Sequence, residues 1–285
     1  MLIELNKTYC GDCLELMRHV PDASVDMVLC DLPYGVTENK WDSIIDPAKL
    51  WEAYLRVCKR NAAIVLTATQ PFTSALVMEQ PKLFKYTWVW VKNRISGFAN
   101  AKRQPLRATE DVLVFYRSQP VYNPQGIVKM QVGKKIGPRY SRGNDKYDYG
   151  NARYGFTVSD RPVSVKGTGR AGALRPVTTM AGCIQDQTNY PRNVLEFASE
   201  TECHHPTQKP VALFEYLIRT YTNEGDTVLD NTCGSGTTGV ACKRSGRNFI
   251  QIDMSEKYCA IARKRYEENM WKVPFKMPDG RKRLL

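Results

Sequence analysis

The chain has 285 residues, 42% apolar and 25% charged, which is ordinary for a soluble globular protein and enough to bury a substantial core. No apolar run reaches about 18 residues, and the N-terminus MLIELNKTYCGD lacks the basic-then-apolar layout of a signal peptide, so a membrane protein is not expected and a cytoplasmic one is. The net charge of +12 is uneven and implies an acidic partner, nucleic acid first.

In chain order, the segment from Asp12 to Val20 reads as a short helix and VDMVLC, from Val25, as a buried strand. From Pro47 to Arg60, apolar residues recur at Leu50, Trp51, Tyr54, Leu55 and Cys58, a helical spacing. AAIVLTA, YTWVWV and DVLVFY then read as buried strands, the last ending at Tyr116. Such alternation predicts an α/β sheet with helices on its faces. From about Ser118 the character changes. Residues 119–192 hold 12 Lys and Arg against 4 Asp, ten of the 19 glycines and six tyrosines, with no apolar periodicity. This predicts an irregular basic insert, its rings and cations suited to stacking and phosphate contacts, with disorder as the alternative. After Asn193 a helix is expected over VALFEYLIRTYT, then the strand TVLD, a helix closed by Gly246, the strand NFIQID, and a last helix capped by Ser255.

Nine cysteines are an odd number scattered through apolar runs, which fits reduced thiols. Cys10 and Cys13 form a C-x-x-C and Cys203-His204-His205 a compact cluster, but neither has a second ligand pair at metal-site spacing, so no metal is expected.

Two stretches carry the chemistry. LCDLPYG ends an apolar strand on Asp31 and follows with Leu32, Pro33, Tyr34 and Gly35. In DNTCGSGTTG, Gly234, Gly236 and Gly239 satisfy G-x-G-x-x-G, with Asp253 ending the next strand. Taken singly, the glycine motif suggests a dinucleotide enzyme, a nicotinamide-dependent oxidoreductase. Asp230, at the strand end before the glycines, weighs against that, because a carboxylate repels a pyrophosphate and suits an ammonium group.

A D-x-P-Y turn, a variable basic region, HPTQKP (His205 to Pro210) and D-x-x-x-G-S-G-T-T in this order resemble the amino-methylating DNA methyltransferases that use S-adenosylmethionine, and the order resembles their circularly permuted beta class. The resemblance implies a doubly wound, Rossmann-like α/β methyltransferase sheet. Its D-x-P-Y half would be residues 1–118, its target-recognition insert 119–192 and its cofactor-binding part 193–285. It implies that Asp230, Gly234 and Gly236 surround the methionine part of the cofactor, that Asp253 binds the ribose hydroxyls and that Asp12 approaches the adenine. Thr207, Gln208 and Lys209 would form a loop on the cofactor side. The family's usual Pro-Phe is replaced by Asn231 and Thr232, which is expected to alter the apolar wall beside the cofactor, and Leu32 stands where a proline is usual.

An exocyclic amine on a nucleobase is a poor nucleophile because its lone pair is delocalised. Asp31 and the carbonyl of Leu32 are expected to hold its two hydrogens, with Tyr34 stacking on a base flipped out of duplex DNA and Pro33 stiffening the turn. Cys30 is expected to be a core residue; Trp41, Lys92 and Asn93 are weaker candidates for the same cleft. The resemblance implies the 6-amino group of adenine as target, since Asp first in the turn is the adenine tendency of that family, with the 4-amino group of cytosine as the alternative. A homodimer and a cognate restriction enzyme are compatible partners.

Overall fold

The structure, a computed structural model, describes residues 3–34, 44–136, 183–200 and 207–268. They divide into two compact units, residues 1–126 with 190–285, and residues 127–189.

The first unit opens with β1 (Lys7–Cys10), α1 (Cys13–Met17) and β2 (Val25–Asp31). Asp12 caps α1, accepting hydrogen bonds from the amides of Leu14 and Glu15, so this helix begins where the chain supplies a side-chain acceptor. Next come α2 (Pro47–Val57), capped by Asp46 with Pro47 in its first turn, then β3 (Cys58–Ala68), α3 (Phe72–Glu79), β4 (Phe84–Ser96) and β5 (Arg107–Phe115). The second unit contributes β6 (Val128–Ile136) and β7 (Cys183–Thr188), an antiparallel pair. The first unit resumes with β8 (Val194–Glu196), α4 (Val211–Tyr221), β9 (Thr227–Asp230), α5 (Thr237–Ser245), β10 (Asn248–Asp253) and α6 (Glu256–Glu267).

Eight strands form one sheet in the order β1-β10-β9-β2-β3-β5-β4-β8. The first five run parallel; β5 is antiparallel to both its neighbours, and β8 is parallel to β4. Between Asp26 and Asp31, β2 is apolar because both faces are covered. Met27 and Leu29 join the layer containing α4, α5 and Tyr266 of α6, whereas Val28 and Cys30 join the layer containing α1, α2 and α3. The doubly wound α/β architecture expected from the sequence is therefore present.

Several boundaries differ. The helix expected to reach Arg60 stops at Val57, because Cys58 already pairs with Val25 in the sheet. Three short elements, β1, α3 and β8, were not anticipated, and α3 lacks a side-chain cap that would announce it. The insert is not irregular at its ends, since β6 and β7 pair there with a register shift between Lys129 and Lys134. Its centre, with Tyr140, Tyr147, Tyr149 and Tyr154, lies outside the described residues, as do Gly35, Trp41, Cys203, His204 and His205.

Candidate active site

The central strands β9 and β2 are neighbours, and the chain leaves them in opposite directions across the sheet: β9 leads through α5 to β10, β2 through α2 to β3. This is a topological switch point, where open α/β sheets form a ligand crevice outside the carboxyl ends of the strands. Asp230 ends β9 and Asp31 ends β2, so the two sequence motifs converge on one rim.

Asp31 is the centre of a hydrogen-bonded cluster. Its Oδ1 accepts from the Tyr34 hydroxyl at 2.6 Å and from Thr67 Oγ1 at 2.5 Å, and its Oδ2 accepts from Lys209 Nζ at 2.7 Å. Lys209 Nζ also lies 3.3 Å from Glu110, whose other oxygen pairs with Lys92 at 3.0 Å. Burial opposes the Lys209 charge, but Asp31, with Tyr34 and Glu110, holds its pKa well above the ordinary lysine range. Burial, then the Asp31 charge, raises the Tyr34 phenol in the same way. The ring of Tyr34 stands 5.3 Å from that of Phe72 and 5.8 Å from the Lys209 ammonium. Leu32 is buried in the core layer with α1, α2 and α3, and Pro33 is half-buried beside it.

The cofactor-side expectations map onto the neighbouring loop. Asp230 is buried, with its oxygens accepting from the amide of Thr232 at 3.2 Å and from Thr238 Oγ1 at 2.5 Å. Burial raises its pKa to about 7 against these hydrogen bonds, and the charges of Asp253 and Asp31 push it further the same way. Such a carboxylate is short of a cation, and an ammonium group fits that need. Asp253 accepts from the amides of Gly234 and Ser255 at 2.8 and 2.9 Å. Asp12 lies at the same rim, because Cys10 is in register with Asp253 and the Gly11 amide bonds the Asp253 carbonyl at 3.0 Å. Gln208 Oε1 accepts from Ser235 Oγ at 2.9 Å, docking its loop onto the glycine turn, while Thr207 is exposed.

The loop 207–209 is thus split between two sites: Gln208 faces the glycine turn and the Lys209 ammonium faces Asp31. Lys92, a weaker candidate, belongs to the Asp31 cluster; Asn93 instead accepts a hydrogen bond from the amide of Ser199 at 2.7 Å. Thr67, Glu110 and Thr232 were missed. Thr232 Oγ1 donates to the Asp31 carbonyl at 3.0 Å and so joins the two motifs directly. Asn231 turns into the core, accepting from Tyr54 Oη at 2.5 Å and from Cys30 Sγ at 2.9 Å. Burial pushes the Cys30 thiol up, which suits a core residue and not a nucleophile. Among the described residues no three His, Cys, Asp or Glu side chains converge as a metal site.

Gly234 and Gly236 both have positive φ, 49° and 81°. At Gly236 a Cβ would lie 2.6 Å from Ala262 Cβ and 2.8 Å from Ala262 Cα, so this glycine lets α5 pack against α6. Gly236→Ala is expected to lower stability by about 2 to 4 kcal/mol, from the left-handed backbone plus overpacking, read as a shift in urea midpoint at unchanged slope. An unchanged midpoint would contradict this packing role.

Comparison with known proteins places this geometry. The model of the DNA methylase family matches residues 25–264. Type II methyltransferase M.HpaI of Haemophilus parainfluenzae is 44% identical over 276 residues, covering 90% of this chain and 73% of that protein. DNA adenine methyltransferase YhdJ of Escherichia coli is 27% identical over 275 residues, covering 90% and 81%. Among solved structures, the M1.HpyAVI-SAM complex aligns with TM-score 0.56 and 25% identity over 91% of this chain and 98% of that one. PvuII DNA methyltransferase (cytosine-N4-specific) aligns at 0.59 with 14% identity, over 99% of this chain and 95% of its own, a likeness of fold alone. By the span of the family match and the identity to M.HpaI, the chain belongs to the DNA methylase family.

Proposed function

We propose that the protein methylates the 6-amino group of adenine in duplex DNA, with S-adenosylmethionine as methyl donor, and that it is of the permuted beta class. The observation that carries the reading is the meeting of Asp31 and Asp230 at one switch point, bridged by the bond from Thr232 to the Asp31 carbonyl. When bound, the cofactor supplies a methyl group made electrophilic by its sulfonium. Asp230 holds the cofactor's ammonium, Gly234 and Gly236 shape the loop around it, Asp253 takes the ribose hydroxyls, and Asp12 and the loop of Thr207 and Gln208 flank it.

On the substrate side, Asp31 and the Leu32 carbonyl accept the two amine hydrogens, which turns the nitrogen lone pair toward the cofactor side of the crevice. Asp31 then stabilises the positive charge that develops on nitrogen, and no covalent nucleophile is required. Three donors already occupy Asp31, so the base enters as the Tyr34 hydroxyl leaves Oδ1 and its ring turns to stack. Because the amine lies inside the duplex, the base is flipped out. Residues 119–192 serve as the target-recognition region, their charge drawing the phosphates.

The adenine assignment draws support from Asp at the head of the turn and from the relative named a DNA adenine methyltransferase. M.HpaI and M1.MboII of Moraxella bovis (25% identical over 273 residues) are named type II methyltransferases, which supports a role beside a cognate restriction enzyme. Gel filtration tests the homodimer. The free thiols of the described cysteines suit the cytoplasm. Incubation with methyl-labelled S-adenosylmethionine and duplex DNA tests the reading as a whole. Label in DNA is expected; unlabelled DNA together with stabilisation by NAD and none by S-adenosylhomocysteine would replace it with the oxidoreductase reading.

A pH dependence follows from Asp230. Its native pKa of about 7 lies above the ordinary 3.8, so the native state binds this proton more tightly and the carboxylate's contribution to stability falls as pH rises between those values. An ammonium ligand selects the ionised form. Affinity for S-adenosylhomocysteine is therefore expected to strengthen up to about pH 7 and to weaken by about tenfold per unit below it. Calorimetry from pH 5.5 to 8.5 on wild type and Asp230→Asn checks this; a flat wild-type profile would remove the ammonium role.

A further inference from the structure

Beyond its root, where Lys92 and Glu110 join the Asp31 cluster, the hairpin joining β4 to β5 has no part in the sites described above. Residues 92–107 hold Lys92, Arg94, Lys102, Arg103 and Arg107 and no acidic residue. The tip turns at Gly97, with φ of 99°, into a short 3-10 turn, Phe98–Asn100. Phe98 is 70% exposed and Ile95 45% exposed. Lys92 pairs with Glu110, but two large apolar side chains in water beside Arg94, Lys102, Arg103 and Arg107, on a tip that packs neither of them, suit a surface that is covered by an anionic partner.

The hairpin also stands at the catalytic rim. β4 runs in the same direction as β2, so its continuation projects past the carboxyl ends of the strands. Its root is tied to Asp31 through Lys92, Glu110 and Lys209 at 3.0, 3.3 and 2.7 Å. Phe98 lies six positions beyond Lys92, so the tip reaches up to about 20 Å beyond the root at roughly 3.3 Å per residue.

We propose that this hairpin is a DNA wedge: Phe98 enters the base stack where the target base leaves it, and Arg94, Lys102, Arg103 and Arg107 hold the flanking phosphates. The proposal rests on the base-flipping reading above. Extruding a base is uphill, and an apolar side chain inserted between base steps offsets the lost stacking. Duplex DNA is the favoured occupant over a protein because, among the described residues, Arg94, Lys102, Arg103 and Arg107 have no acidic partner, and because the tip continues past the strand ends on the side where Asp31 would receive the base.

The test uses the full chain and a duplex carrying its methylation site, with 2-aminopurine at the target position to report flipping. Phe98→Ala should leave the melting temperature and S-adenosylhomocysteine affinity unchanged. It should lose most of the fluorescence rise and lower kcat/KM on a matched duplex by about tenfold or more. When the target adenine lies opposite an abasic site and is already loosened, the loss should shrink to about threefold or less. Lys102→Ala and Arg103→Ala should each reduce the slope of log affinity against log salt by about one. Phe98→Ala matching wild type on the matched duplex, or losing equally on both duplexes, overturns the wedge alone. A wild-type protein that transfers no methyl group to either duplex overturns the reading on which it rests, and the wedge with it.

Discussion

Replacing Asp31 with alanine is expected to lower methyl transfer by about 10³-fold or more while leaving S-adenosylhomocysteine binding within about threefold. Removing one preorganised hydrogen-bonding group from a reacting centre costs about 10² to 10³ in rate, and Asp31 both orients the amine and faces the charge that develops on it. Binding should persist because Asp230, Gly234 and Asp253 are held by their own contacts to Thr238, Thr232 and Ser255. Asp31→Ala keeps Lys209 beside Glu110, so the fold should survive, as a melting curve would verify. Single-turnover transfer of labelled methyl reads the result. Transfer within tenfold of wild type would show that Asp31 is not the acceptor of the amine.

Lys209→Met is the second large effect, and it separates two roles. The resemblance gave Lys209 to the cofactor, but its ammonium lies 2.7 Å from Asp31. As a positioning residue it should change kcat by about 10²-fold at a nearly constant affinity for S-adenosylhomocysteine; as a cofactor ligand it should raise KM for S-adenosylmethionine and spare kcat. Stability should fall too, by about 3 kcal/mol, since breaking a buried ion pair leaves a carboxylate without its partner. Adding Glu110→Gln should not restore the rate, because Glu110 keeps Lys92 as its partner and removing its charge does not return the support of Asp31. A double variant that recovers the rate would contradict the positioning role.

What the sequence made legible was contiguous. Asp31 to Tyr34 and the glycine turn could be found because each motif sits within a few residues, where strand ends and a positive-φ glycine leave a local signature. The doubly wound sheet was legible for the same reason, since strands buried on both faces, such as VDMVLC, read as apolar runs. The direction of Lys209 was not legible, because Gln208 facing Ser235 says nothing of where its neighbour goes, and the Lys209 ammonium meets Asp31. Glu110 and Thr67 were invisible because their role exists only once β2, β3, β5 and the 207–209 loop are assembled. Asn231 carried a cue, a polar residue where an apolar one is usual, but its partners Tyr54 and Cys30 lie far away in the chain. β1 and β8 are short and are made by pairing with β10 and β4, and α3 lacks the side-chain cap that would mark its start.

The central claim is that this crevice methylates an adenine amine, and the nucleosides of the product test it most directly. Duplex DNA incubated with the protein and S-adenosylmethionine should be digested and its nucleosides separated by chromatography with mass detection. The expected product is 6-methyladenine, formed by wild type and lost in Asp31→Ala. DNA carrying only 4-methylcytosine would contradict the adenine assignment, and 6-methyladenine still formed at the wild-type rate by Asp31→Ala would contradict the clamp.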